Sequence, residues 1–152
     1  METKSLEQKL RGLYKSSDSM KSALESTFGK DITERINTWE DMLAETGLPD
    51  TPEFTELPER LRDHFRKYYR CVVMTEAYNE GEKMDIYNSS KWRYFPRFLT
   101  QGSPAAFAFR GSNCVNSLAF AGSGSRLALK SEKLSKIVGT KHIDFYREYL
   151  ES

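Results

Sequence analysis

The run Lys91-Trp92-Arg93-Tyr94-Phe95-Pro96-Arg97 sets cations between aromatic rings. On an extended strand this pattern suits a platform for single-stranded nucleic acid, with phosphates meeting Lys and Arg while bases stack on the rings. Arg110, Arg126 and Lys130 would widen the platform if they shared its face. A plainer reading makes the run an edge strand with its rings turned inward and its cations outward, which also discourages edge-to-edge aggregation. The plainer reading is favoured, because a binding groove should spread basic charge over several strands. Lys91, Trp92, Arg93, Arg97, Arg110, Arg126 and Lys130 are therefore the candidate binding residues, for a protein partner or for nucleic acid.

Gly122-Ser123-Gly124-Ser125-Arg126 could bring backbone and hydroxyls close to an anion. Its spacing matches neither a P-loop nor a dinucleotide fingerprint, and no helix directly follows. A turn whose Arg126 braces a carboxylate or carbonyl explains it better. Ser131, with Lys130 and Lys133 beside it, starts a helix, and capping alone accounts for it. His64 and His142 lie on different helices without a neighbouring ligand or nucleophile pattern, and both are expected at the solvated surface. Glu76 and Glu80 fall one turn apart and could pair carboxylates for acid–base or metal chemistry. No His-x-x-Glu companion supports that use. Cys71 and Cys114 form no CxxC pair and read as buried free thiols. No catalytic, cofactor or metal-binding residue is assigned, and the sequence points to binding rather than catalysis.

These side chains need a scaffold. The 152 residues suffice for one domain with its own core, burying roughly 70% of the surface of the unfolded chain. Lys plus Arg (23) nearly cancels Asp plus Glu (22), so the net charge of +1 gives no global pull toward nucleic acid or anionic membrane. No stretch approaches the ~20 apolar residues of a membrane span, and the charged N-terminus is unlike a secretory signal. A soluble, cytoplasmic protein is expected.

Apolar spacing predicts helices from about Ser5 to Lys15 and from Ser17 or Asp18 to Phe28, the second closed by Gly29. A third, capped by Asp31 with Glu34 in a capping box, would bury Ile32, Ile36, Trp39 and Leu43 and stop at Gly47. Pro49, Pro52 and Pro58 mark an extended connector. The helix 58–79 carries Leu61, Phe65, Tyr68, Val72, Thr75 and Tyr78 on one stripe, widened by Tyr69, Val73, Met74 and Ala77, and reads as the central one. Gly81 is its expected cap. A polar loop follows over 82–91. Residues 92–130 alternate apolar and polar between Gly, Ser and Asn turns. This predicts a small antiparallel sheet of three to four strands, one of them carrying Pro96 as an edge or bulged strand. Leu127 and Leu129 share a face of the last strand, opposite Arg126, Ala128 and Lys130. A helix over 132–149, capped by Ser131, ends the chain. Gly139 weakens it by roughly 1 kcal/mol relative to alanine, which a close crossing over the sheet would explain. The fold class is α+β, read as a single domain over 1–152, with 1–29 a loosely attached helical extension.

Three segments resemble an uncharacterised family of gut Bacteroidetes and their phages and prophages, with a pattern of LNEGW, YYPWF and VGSRLCFKSxELA and a final F…IY helix. The matching residues are Asn79, Glu80 and Gly81; Tyr94, Phe95, Pro96 and Phe98; Gly124, Ser125, Arg126, Leu127, Lys130 and Ser131; and Phe145 and Tyr146. The helix DITERINTWEDML is similar to the family's upstream helix. Glu82 and Arg97 stand where that family has aromatics. The resemblance implies a phage-related context and a fold, with no assigned activity. The expectation is an accessory protein that binds a host or phage protein in the host cytoplasm or in a virion, with nucleic acid as the alternative partner and no membrane or cofactor.

Overall fold

The computed structural model describes residues 18–28, 31–88, 90–116 and 125–152. Its helices are α1 (Asp18–Phe28), α2 (Ile32–Arg35), α3 (Trp39–Thr46), α4 (Glu59–Tyr78), α5 (Glu132–Lys141) and α6 (Ile143–Leu150), and its strands are β1 (Trp92–Leu99) and β2 (Ala108–Asn116). The α+β class stands, but the sheet among the described residues has two strands, not three or four. The predicted helix over 5–15, Gly29, Gly122 to Gly124, and the Leu118 and Phe120 face of the predicted third strand lie outside the described residues.

α4 forms the middle of the core. Cys71, Val73, Met74, Ala77 and Tyr78 are buried against Ile32, Ile36, Met42, Leu134, Val138 and Tyr146. The broad apolar stripe read from the sequence thus corresponds to a helix covered by α3 on one side and α6 on another. Trp39 packs at the margin of this core, its indole N–H donating to Asp50 Oδ1 at 2.8 Å. Arg70 lies 4.2 Å from the centre of the Phe145 ring and 5.4 Å from that of Trp39, with its charge met by Glu148 at 3.1 Å.

Two predicted helices are each broken in two. The helix expected from Asp31 to Gly47 stops at Ile36, whose backbone is extended, and restarts at Thr38. Asp31 does cap α2, accepting from the Thr33 N–H. Glu34 forms no box with it; a capping box instead forms seven residues on, where the Asp41 N–H donates to Thr38 Oγ1 and the Thr38 N–H to Asp41 Oδ2. Gly47 closes α3 in the left-handed region at φ 69°. The C-terminal helix is broken at His142 (φ −121°, ψ 37°), and the turn carries the imidazole into the core.

β1 and β2 run antiparallel from Trp92↔Asn116 to Leu99↔Ala108, with a register shift between Arg97 and Phe98. The second and third predicted strands are therefore one. Gly111, Ser112 and Asn113, read as a turn, continue the ladder opposite Arg97, Pro96 and Phe95. The start of the predicted second strand is instead a 3₁₀ turn over Pro104–Ala106. The last predicted strand shrinks to a 3₁₀ turn, Ser125–Leu127, and a single bridge at Leu129, which exchanges both backbone hydrogen bonds with Tyr94. Leu127 and Leu129 are buried as their shared face requires, but so is Ala128.

That bridge also accommodates Pro96. Tyr94 directs its N–H and C=O away from β2, so Pro96, two residues on, turns its missing donor to the same outer edge and costs the β1–β2 ladder nothing. α5 crosses the hairpin at Gly139. A Cβ there would stand 2.6 Å from Phe109 side-chain atoms and 2.7 Å from Pro96 Cβ, which is the close crossing that a glycine in this helix implied. Ser112 Oγ donates to Ser135 Oγ across the same contact at 2.8 Å.

Candidate functional site

The basic–aromatic strand does not form a uniform cationic face. Pro96 and Phe109 meet α5, and Phe98 meets Tyr146 of α6. Strand alternation then places Arg97 and Arg110 on the opposite, outer face, and both are exposed. Trp92 is 48% exposed at the start of β1. The other cations are engaged. Lys91 pairs with Glu82 at 2.6 Å, Arg126 with Glu76 at 3.6 Å, and Lys130 with Glu80 at 2.5 Å. Arg93, expected to point outward, is 0% exposed. The predicted set is thus divided between ion pairs, one buried guanidinium and two surface arginines without a partner among the described residues. It does not make the continuous stripe that tracking a phosphate backbone demands.

The two carboxylates that could have paired, Glu76 and Glu80, each serve a cation. Glu80 accepts from Lys130 and, at 3.4 Å, from Arg35, which also reaches Glu45 at 3.3 Å. Burial pushes the Glu80 carboxyl up, but hydrogen bonding and charge from Lys130, with Arg35 behind them, outweigh it and hold the group below its ordinary range. Glu80 occupies left-handed backbone (φ 53°), an uncommon place for a residue with a Cβ. Its neighbour Asn79 is buried, donating Nδ2–H to the Ala128 carbonyl and accepting the Lys130 N–H on Oδ1. Gly81, at φ 77°, donates its N–H to Glu76 O and completes the helix end. The Asn-Glu-Gly run and the Arg126 to Ser131 run, far apart in sequence, meet here and lock the end of α4 to the bridge strand.

Beside this lock lies a groove of about 300 Å³, lined by Val72, Met84, Ile86 and Ala128 together with the polar Thr75, Glu76 and Arg126. Part of the lining comes from the loop that follows α4. The ion pair of Glu82 with Lys91 closes its base, and Asp85 and Asn88 accept from the backbone N–H groups of Tyr87 and Ser90. Its tip presents Ile86 at 37% and Tyr87 at 90% exposure. The sequence reads here as a polar loop, although it carries Met84, Ile86 and Tyr87. Met84 and Ile86 alternate over only one repeat, too short a run to signal a strand, so the pattern does not foretell the display of Ile86 and Tyr87.

His142 is buried, not solvated. Its Nε2 shares a 2.8 Å hydrogen bond with the Tyr78 hydroxyl, and burial, with Lys141 adding to it, lowers its pKa to about 4. His64 is half-buried, with Nδ1 2.8 Å from Ser152 Oγ. Cys71 is buried as expected, its thiol pushed up to about 12 by desolvation, whereas Cys114 is exposed. Ser131 accepts from the Leu134 N–H as a cap, and Lys133 is bound to Asp31 at 2.6 Å. Lys133 and the Thr33 N–H hold the Asp31 carboxyl at about 2. Among the described residues no three His, Cys, Asp or Glu side chains converge as metal ligands, and no helix is long and apolar enough to cross a membrane.

Comparison with known proteins gives no matching family model, no similar curated protein and no similar solved structure.

Proposed function

We propose that this chain is an accessory protein of phage or prophage origin that acts in the host cytoplasm or a virion by binding another protein, without chemistry of its own. The observation that carries the reading is the display of Tyr87 and Ile86 on a loop pinned at its base, beside a groove with a mostly apolar lining. Exposed aromatic side chains next to a concave apolar patch are the usual anchors of a protein interface. The resemblance of Asn79 to Gly81 and of Tyr94 to Phe98 supports the phage context. The test is a photo-crosslinking residue at Tyr87 in cells carrying the phage or prophage. A discrete adduct, lost in Ile86→Asp, is expected. Adducts no different from those of a crosslinker at exposed Glu40 would overturn the reading.

A nucleic-acid-binding module is the second reading, resting on Arg97, Arg110 and Trp92, which are exposed on the hairpin. Titration with single-stranded DNA and RNA at low and at physiological salt separates the two. Affinity that falls steeply with salt would favour phosphate contacts, and no binding at low salt excludes them.

A further inference from the structure

We propose that Arg93 anchors a binding site for an oxyanion, a phosphate or carboxylate group of a small ligand, on the face of β1 turned away from α5. The guanidinium is 0% exposed, and among the described residues neither Nε, Nη1 nor Nη2 has a hydrogen-bond acceptor. An arginine kept for packing would lay its stem along apolar surface and leave its head in water. One kept for structure would spend its N–H groups on carbonyls or a carboxylate. Arg93 does neither, and it cannot shed its charge, because a guanidinium stays protonated in proteins.

Its surroundings sharpen the need for an anion. Val115 lies opposite it on β2. On the other side, the antiparallel bridge of Tyr94 with Leu129 sets Lys130 opposite Arg93, with both side chains on the same face. A like charge directly across a ladder is unfavourable. The acid that Lys130 reaches, Glu80, is already shared with Arg35. Further along the same face of β1 come Phe95, half-buried, and Arg97, exposed. A planar fork of unspent N–H donors matches two oxygens of a phosphate or carboxylate, and such bonds strengthen where water is excluded. With no exposed surface on the guanidinium, uptake proceeds through local opening of this side of the sheet.

The experiment is thermal unfolding of the full chain in inorganic phosphate and, separately, citrate, from zero to 10 mM at constant ionic strength (concentrations of roughly this order resolve weak sites). The wild-type Tm should rise along a saturation curve in at least one anion. A response to phosphate alone identifies a phosphate group, and a response to citrate alone a carboxylate. Arg93→Met should be at least as stable as wild type without either anion and should not respond. Flat wild-type curves overturn the proposal. So do equal shifts in Arg93→Met, since general exclusion of these solutes stabilises any fold. Should Arg93→Met fail to fold, the Arg93 Nε–H resonance of the wild type decides. It must move on anion addition, and an unmoved resonance refutes the site. None of these measurements involves a protein partner, so the outcome stands apart from the interface proposed above.

Discussion

The Asn79 side chain grips the backbone of Lys130 and its neighbour, accepting the Lys130 N–H at 2.9 Å and donating to the Ala128 carbonyl at 2.8 Å. One buried amide thereby does for the bridge strand what a further ladder partner would do. Both bonds lie where water cannot substitute for them, so Asn79→Ala orphans a backbone donor and a backbone acceptor. The expected cost is about 2–4 kcal/mol, read as a lower urea midpoint with an unchanged slope.

Much of the helical frame was legible in the sequence, for local reasons. The α4 stripe, the left-handed stop at Gly47 and the Ser131 cap each follow from residues within a few turns of one another. The break at Thr38 was legible too, since Thr38 and Asp41 stand three apart as a capping box. The apolar face continuing through Ile36 and Trp39 masked it. The sheet was harder. Gly111, Ser112 and Asn113 have turn chemistry, but pairing with β1 and the bond of Ser112 to Ser135 hold them in a strand. Nothing near Arg93 foretells its burial, because alternation puts it on the same face as exposed Arg97 and says nothing of where that face is covered. The meeting of Asn79 and Glu80 with Lys130 is likewise a tertiary fact, invisible to periodicity.

Gly139→Ala sets two effects against each other. Alanine is the better helix former by about 1 kcal/mol. Its methyl would collide with the Phe109 ring and with Pro96 Cβ, and the proline cannot swing aside. Overpacking of this kind costs about 1–3 kcal/mol, so the net expectation is loss of stability. A lowered Tm together with shifted Phe109 ring resonances would confirm that α5 has lifted from the hairpin.

The buried His142 sets a pH window. Its folded pKa, about 4, lies below the unfolded value of 6.5, so the unfolded chain binds the extra proton first. Stability is then full above pH 6.5 and declines as pH falls toward 4, with a slope approaching about 1.4 kcal/mol per pH unit. Asp31, held at about 2, contributes only below its ordinary value of 3.8 and leaves this window clear. Urea titrations at pH 7, 6 and 5 should show the decline in wild type. His142→Gln should flatten it, and an equal decline in that variant would place the proton elsewhere.

Glu80 presents the opposite sign. Its folded pKa is depressed, so its ionised form stabilises the fold above the unfolded carboxylate range, and the benefit is lost as pH falls through the folded value. The carboxylate is still about one-third exposed, which tempers its ion pairs with Lys130 and Arg35. Glu80→Gln keeps the volume and removes the charge, and should cost about 1 kcal/mol at pH 7. The difference between wild type and Glu80→Gln should shrink toward zero as pH falls through the depressed folded value, where both side chains become neutral. Glu80→Gly isolates the backbone contribution. Glycine relaxes the φ of 53°, so its loss of side-chain contacts is offset by roughly 1 kcal/mol that Glu80→Gln cannot recover. Were Glu80→Gln as stable as wild type at pH 7, the charge lock between α4 and the bridge strand would contribute nothing, and the Asn79 hydrogen bonds would carry that junction.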